Sequence, residues 1–279
     1  MMWFLRLVMW ICVIFLIAYP QGIYTDQVGP DIIRYVFFGL DNQVGPIIIP
    51  YLGILIAISY YYNNKITFGC WIDIIMVFSI IVYLWSVTSL VGLVFFMAFL
   101  FCNVSNIFKR RISMKSGIIF ALVIFVLIVF FRAQELFSFI IVDILHKSMS
   151  LSGRTYIWDQ AISLILKSPV LGMGIRENES IVYFSIMGDH RHAHCQYFQL
   201  MINGGIFYTV SFFVGLFNVA KKNDARNNRK YIWALSMCMV TYLIMCVTDV
   251  FSHMYGLYLI MAVSYYGFNN YNVEGDGYE

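Results

Sequence analysis

The sequence predicts an all-α integral membrane protein, a polytopic helical bundle of about eight transmembrane helices with one large external loop. Three observations predict it. Hydrophobic residues fill 61% and charged residues 12% of the 279 positions, against about 45–50% and about 25% in a soluble domain. Mean hydropathy is +0.77. The apolar residues gather in runs close to the length that crosses ~30 Å of hydrocarbon, and the basic residues gather in short connections between them.

The runs, in order, are Trp3–Tyr19, Ile47–Tyr62, Phe68–Trp85, Ser89–Asn103, Gly117–Phe131, Gly204–Ala220, Tyr231–Val247 and Phe251–Phe268. The first has no small-residue cleavage site and reads as a span or anchor rather than a cleaved leader. The third and fourth form a tight hairpin through Ser86-Val87-Thr88-Ser89. Some runs are short, which tilt or extension into the flanks accommodates.

Orientation follows from the lysines and arginines. Lys65 marks one connection. Lys109, Arg110, Arg111 and Lys115 fill a second, and Lys221, Lys222, Arg226, Arg229 and Lys230 fill a third. Eight spans with both termini cytoplasmic place all three inside. The same arrangement places residues 20–46 and 132–203 outside, and leaves 269–279 as a disordered cytoplasmic tail. The whole chain, 1–279, then reads as a single polytopic membrane domain. Of the six cysteines, only Cys195 lies in a polar external region, so no intramolecular disulfide forms there, and no CxxC pair suggests a metal or redox centre.

Within the large loop, Arg154–Lys167 has helical periodicity, with Ile157, Ala161, Leu164 and Ile165 on one face. Ser168-Pro169 ends the helix, and Leu171-Gly172-Met173-Gly174 supplies a flexible turn. The amphipathic pattern suits a membrane surface. The loop closes on Asp189-His190-Arg191-His192-Ala193-His194-Cys195, which carries three of the five histidines at alternate positions. Histidine changes charge most easily near neutral pH, so such a cluster at a membrane edge points to chemistry. Alternate histidines with Asp189 also leave a metal reading open.

The segments Gly153-Arg154-Thr155-Tyr156-Ile157-Trp158, Ser168-Pro169-Val170-Leu171-Gly172-Met173-Gly174, His194-Cys195 and Gly205-Ile206-Phe207-Tyr208 resemble the family of O-antigen ligases and O-antigen and capsular polysaccharide polymerases (Wzy-type). That family has a GR…W…hPhhGhG segment in a large external loop, then H-[NSQ]-x9-G-x-x-[GTY]. Here His194 takes the histidine position, Gly205 the glycine and Tyr208 the last position; Cys195 stands where asparagine, serine or glutamine is usual. Arg34-Tyr35-Val36-Phe37-Phe38-Gly39-Leu40-Asp41-Asn42 resembles the R…hGF.xPN segment of Gram-positive members. Many members carry a Ser-Arg pair in the span before the loop, where this chain has Thr88-Ser89-Leu90-Val91.

The resemblance implies a polytopic protein of the bacterial cytoplasmic membrane. It implies a repeat-unit polymerase that moves a growing glycan from polyprenyl diphosphate to the next lipid-linked unit at the outer face, or a ligase that moves the finished glycan to another acceptor. No cofactor, metal or nucleic acid is implied. The implied partners are the polyprenyl-diphosphate-linked oligosaccharide, the bilayer, and a flippase and chain-length regulator of the same pathway. The reaction needs a cation on the diphosphate and a base at the acceptor hydroxyl. Arginine suits the first through its bidentate, always-charged fork, and neutral histidine suits the second. Arg154 and His194 occupy the matching positions. Arg34, Arg176 and Arg191 are the further basic residues assigned to substrate, the last two as replacements for the missing span arginine. The competing class is a transporter or flippase, which places ionisable residues deep in its spans. Here Asp73 is near a span end, Asp249 near an external turn, and the span centres are almost free of charge.

Overall fold

The computed structural model describes residues 1–28, 31–104, 112–132, 154–174, 182–184, 189–226, 229–251 and 254–268. The proposed tail 269–279, Arg176, and the basic residues Lys109, Arg110 and Arg111 lie outside them. Among the described residues the helices are α1 (Met2–Ala18), α2 (Gly45–Asn63), α3 (Phe68–Leu84), α4 (Val87–Val104), α5 (Met114–Val129), α6 (Arg154–Lys167), α7 (Gln196–Asp224), α8 (Lys230–Met245) and α9 (Tyr255–Tyr266). Each predicted span coincides with one helix, and α6 is the predicted loop helix. The stretches Asp41–Asn63 and Gln196–Asp224 are long and apolar enough to cross a membrane by length and composition; α1, α3, α4, α5 and α8 are apolar but shorter.

The helical class holds, with an addition that the all-α expectation lacked. Among the described residues two small antiparallel sheets form, both in segments predicted as external loops. Strands β1 (Tyr24–Val28), β2 (Asp31–Val36) and β3 (Gly39–Leu40) make the first, in the order β1-β2-β3. Strands β4 (Val182–Phe184) and β5 (Asp189–Arg191) make the second, with Tyr183 opposite His190 and Val182 opposite Arg191. β-branched and aromatic residues are frequent in these stretches, which favours strands where no helical periodicity competes.

The chain divides into two compact units: residues 1–114, 219–242 and 252–279, and residues 115–218 and 243–251. The first is built around α2, whose residues Ile48, Ile49, Leu52, Ile54, Leu55 and Ile56 are fully buried. Pro50 sits inside α2 and cannot donate to the carbonyl of Pro46. Gly256 of α9 packs against that carbonyl and against the Pro50 ring, where any side chain would collide. On another side Gly53 admits the thiol of Cys238, which donates to the Ile49 carbonyl at 3.6 Å.

The polar groups of this unit close on one another. Arg6 of α1 grips the buried carboxylate of Asp73 of α3 through Nε and an Nη, at 2.8–3.1 Å. Buried Asn223 bonds Ser236 and Ser264. Helix ends in this unit are tied across the chain: Lys230 donates to the Asn64 carbonyl, and Asp224 accepts the Met114 N–H. At the far end of α3, Tyr83 donates to the carbonyl of Pro20, where the segment holding the first sheet begins. The outward faces stay greasy. Trp3, Phe4, Leu7, Ile14, Ile75, Phe78, Val94 and Phe101 are all exposed. So broad an apolar surface suits lipid and not water.

The second unit holds α5 from Lys115, α6, the β4-β5 hairpin, α7 to Asn218 and the segment 243–251. The apolar face predicted for α6 is the packed one. Ile157 and Ala161 are buried and Leu164 and Ile165 half-buried, with Trp158 buried beside them. Phe125 of α5 meets Tyr197 and Phe198 of α7 edge-on, at ring-centroid distances of 4.9 and 5.6 Å.

Candidate functional site

The residues 193–205 and 168–174 are locked together by backbone, which explains the spacing of the glycines. Helix α7 begins at Gln196, eight residues before the predicted span at Gly204, and is broken once, at Gly205 (φ 60, ψ −158). Only glycine populates that region readily. The break frees backbone groups, and the Pro169–Gly174 turn takes them. Met173 N–H donates to the Ile202 carbonyl at 2.6 Å, Gly174 N–H to the Asn203 carbonyl at 2.9 Å, and Ile206 N–H to the Pro169 carbonyl at 2.9 Å. A side chain on Gly172 would strike the backbone of Gly204 and Gly205, and one on Gly205 would strike Val170. The two glycine motifs are therefore two halves of one backbone joint.

The start of α7 is tied to the segment 243–251. Gln196 N–H donates to the Cys246 carbonyl at 2.9 Å, and Gln196 Oε1 accepts the N–H of Phe251 at 2.9 Å. Tyr197 donates to the Leu243 carbonyl at 2.8 Å. Cys195 is the N-cap. Its carbonyl accepts the Gln199 N–H at 3.0 Å, and its sulfur accepts the N–H groups of Tyr197 and Phe198. Those bonds and the nearby charge of Arg154 favour a thiolate, yet complete burial outweighs them and pushes the thiol up to about 12. Cys195 is thus a neutral cap and not a nucleophile. Side-chain oxygen is the better cap, which accounts for asparagine and serine at this position of the pattern.

His194, one residue before the cap, holds φ at 47°, the left-handed region that few non-glycine residues other than Asn, Asp and His enter. The turn aims its imidazole at Asp249: Nδ1 lies 3.9 Å from Oδ1 of that buried carboxylate. That is ion-pair range rather than a hydrogen bond. The His192 ring packs on the His194 ring at 4.2 Å between centroids, and the His194 N–H donates to His192 Nδ1 at 3.3 Å. Arg154, the first residue of α6, donates through Nη1 to the carbonyl of Thr248. Arg154 and His194, 40 positions apart in sequence, thus meet the adjacent residues Thr248 and Asp249.

In the same unit, Leu122, Phe125, Phe130, Ile162, Ile165, Leu166, Tyr197, Phe198, Met201, Thr209 and Phe213 line an apolar cavity of about 310 Å³. Its walls come from α5 and the residue Phe130 just past it, from the helix that carries Arg154, and from the helix that follows His194.

The model of the O-antigen ligase family matches residues 74–213, half of the chain. The chain belongs to the O-antigen ligase family. No curated protein and no solved structure matches it. Membership makes the chain an integral membrane protein of polysaccharide processing, and a lipid-linked oligosaccharide is the substrate the family implies. The family match contains Arg154, both glycine motifs and His194, but ends before Asp249. The sequence reading had Asp249 only as a charge near an external turn. Its signal was available, as the Thr248-Asp249 polar step between the apolar runs ending at Val247 and beginning at Phe251, though nothing local says which residue it faces.

The other assigned residues divide. Arg34 belongs to the first unit, in β2, where it pairs with Asp41 at 3.5 Å. Arg191 closes β5 opposite Val182. Arg176 lies outside the described residues. The predicted histidine trio is also redrawn. His192 and His194 come together with Asp249, whereas His190 is placed only by its backbone, opposite Tyr183.

Proposed function

We propose that this chain is a polysaccharide repeat-unit polymerase, transferring a growing glycan from polyprenyl diphosphate to the next lipid-linked repeat unit at the outer face of the membrane. The observation that carries this reading is the convergence of Arg154 and His194 on Thr248-Asp249, in a unit that also holds an apolar cavity. A lipid diphosphate needs those three things together: a fixed cation, a base and a place for hydrocarbon.

In the proposed step the bond from the sugar anomeric carbon to the diphosphate oxygen breaks, and a bond from that carbon to the acceptor hydroxyl oxygen forms. The hydroxyl proton passes to His194, and polyprenyl diphosphate leaves with the bonding pair. Asp249, facing Nδ1, orients the ring and favours the imidazolium as it forms, leaving Nε2 for the hydroxyl. Arg154 uses one N–H on Thr248, which fixes the guanidinium plane, and turns its fork to the diphosphate oxygens, where it offsets leaving-group charge. The cavity takes the first isoprene units. Arg34, Arg176 and Arg191 are assigned to the glycan-diphosphate portions of the substrates. The basic connections face the cytoplasm, and neither metal nor cofactor enters the step.

The family description favours a second reading, a ligase that moves a finished glycan to a different acceptor. Likeness of the Arg34–Asn42 segment to Gram-positive members favours the polymerase. Lipid-linked glycans from cells lacking the protein decide between them. A polymerase defect leaves single repeat units exposed on the outer leaflet. A ligase defect leaves long polymer on the lipid carrier. Repeat units confined to the inner leaflet would sink both and restore the transporter reading.

A further inference from the structure

His192, His194 and Asp249 each offer one ligand atom, and the three atoms lie within 4.8 Å of one another. Two imidazoles and one carboxylate, with a fourth position open, form a donor set that zinc takes. Ligand atoms bonded at about 2.0–2.1 Å in a tetrahedron sit roughly 3.4 Å apart, so closing the set needs about 1.4 Å of side-chain movement. His192 is half-buried at the loop edge and can supply it. Two nitrogens in three donors select zinc-class ions over magnesium and calcium, which want oxygen. The nearby Arg154 charge opposes a dication, so the site should bind reversibly rather than hold a resident ion.

We propose that His192, His194 and Asp249 form an inhibitory site for zinc-class divalent ions, in which a metal on the His194 nitrogen that faces Asp249 leaves the ring proton on Nε2, so that His194 no longer acts as a base. The proposal rests on the reading of His194 as the base, but metal binding itself does not. His192 is the metal-specific member. It touches His194 and takes no part in the proposed transfer step, so its loss should remove the metal and spare the chemistry.

The test uses the full-length purified protein in lipid nanodiscs and has two arms. In the first, without substrate, ZnCl₂ binding is measured by equilibrium dialysis, and CoCl₂ binding by the visible absorption of four-coordinate cobalt. One equivalent should bind to wild type, and MgCl₂ should not displace it. His192→Gln, which keeps a hydrogen-bond acceptor for the His194 N–H, should weaken binding at least 10–100-fold, since loss of even an outer partner costs about that much. In the second, transfer from lipid-linked substrate should fall at least tenfold at saturating zinc and return with a chelator. His192→Gln should retain activity and lose the inhibition. Absence of zinc and cobalt binding by wild type overturns the site and leaves the base mechanism standing. Undiminished binding by His192→Gln overturns the ligand set. Zinc that restores activity to chelator-treated enzyme overturns the inhibitory role and the metal-free mechanism together.

Discussion

Two buried aspartates separate the two units by their chemistry. Asp73 is saturated: Arg6 reaches both carboxylate oxygens at 2.8–3.1 Å, and Gly69 leaves room for the guanidinium. Asp249 has a different set of neighbours, with no guanidinium gripping it at hydrogen-bond distance among the contacts described. It takes the Val250 N–H at 2.9 Å, and its imidazole neighbour stands off at 3.9 Å. The backbone follows the same division. Around Asp73 the chain is regular helix, whereas around Asp249 it includes a left-handed histidine and a helix broken at Gly205. A saturated pair has no capacity left for a substrate. A long contact on strained backbone can shorten when charge develops, as catalytic contacts commonly do. The same residue type thus locks helices in one place and, in the proposed mechanism, orients the base in the other.

The sharpest way to break the comparison is at His194. His194→Ala should lower the transfer rate by about 10²–10⁴, the usual worth of a positioned general base, with protein level unchanged. Asp249→Asn should lower the rate less and shift the acidic limb of its pH profile to lower pH, because an amide no longer favours the imidazolium. An Asp249→Asn enzyme with a normal rate and pH profile would reduce Asp249 to a structural group. At Arg154, Lys supplies one ammonium where the fork supplies parallel N–H bonds. Arg154→Lys should therefore lose most polymer-forming activity at normal abundance on a blot. Near-normal polymer would make Arg154 a generic positive charge.

Much of this was legible in the sequence, and what was not has a physical cause. Apolar runs locate helices because burial or lipid contact along the whole run favours one continuous element, so each of the eight apolar runs meets a helix and α6 lies where its periodicity put it. The Arg154 and His194 positions were readable because motif spacing carries them. The glycine joint was readable as residues but not as structure. Gly204 looked like the start of a span, yet α7 starts at Gln196, because the 168–174 turn satisfies the backbone that Gly205 exposes. Asp249 was invisible as a partner, since 55 positions separate it from His194 and no periodicity relates them. The Arg34–Asp41 pairing was hidden similarly, by a β2-β3 turn inside a segment read only as loop.

At Asp73 the expected loss is in assembly, not chemistry. Breaking a buried ion pair from one side costs about 3–5 kcal/mol, because the other charge stays uncompensated. Arg6→Leu strands a buried carboxylate and should lower abundance and thermal stability sharply. Asp73→Leu should do less, since the side chain of Arg6 is 18% exposed and can reach solvent or headgroups. The double variant Arg6→Leu/Asp73→Leu should recover much of the loss. Protein that does accumulate should transfer at the normal rate per molecule. A per-molecule rate defect in the double variant would erase the distinction between lock and site.

The smallest expected effect sharpens the comparison at the site's own cap. The Cys195 sulfur accepts two N–H groups at the start of α7, but sulfur is a weak acceptor. Cys195→Ser places an oxygen at the same point and should raise stability by up to ~1 kcal/mol, read as a higher melting temperature in detergent. The opposing term is burial, because a hydroxyl costs more than a thiol to desolvate if its bonds are imperfect. With two backbone donors already in place, the capping term should win. Activity should stay close to wild type, since the thiol is neutral below about 12 and takes no part in transfer. The pH dependence has a definite sign. Burial raises the folded thiol from 9.0 to about 12, so its contribution to stability is complete below pH 9 and is lost as pH rises toward 12. Cys195→Ser should therefore gain most relative to wild type in alkaline buffer. A gain that vanishes or reverses between pH 7 and pH 10 would mean that the sulfur is not buried as a neutral cap, and that the start of α7 is held by the 243–251 segment alone.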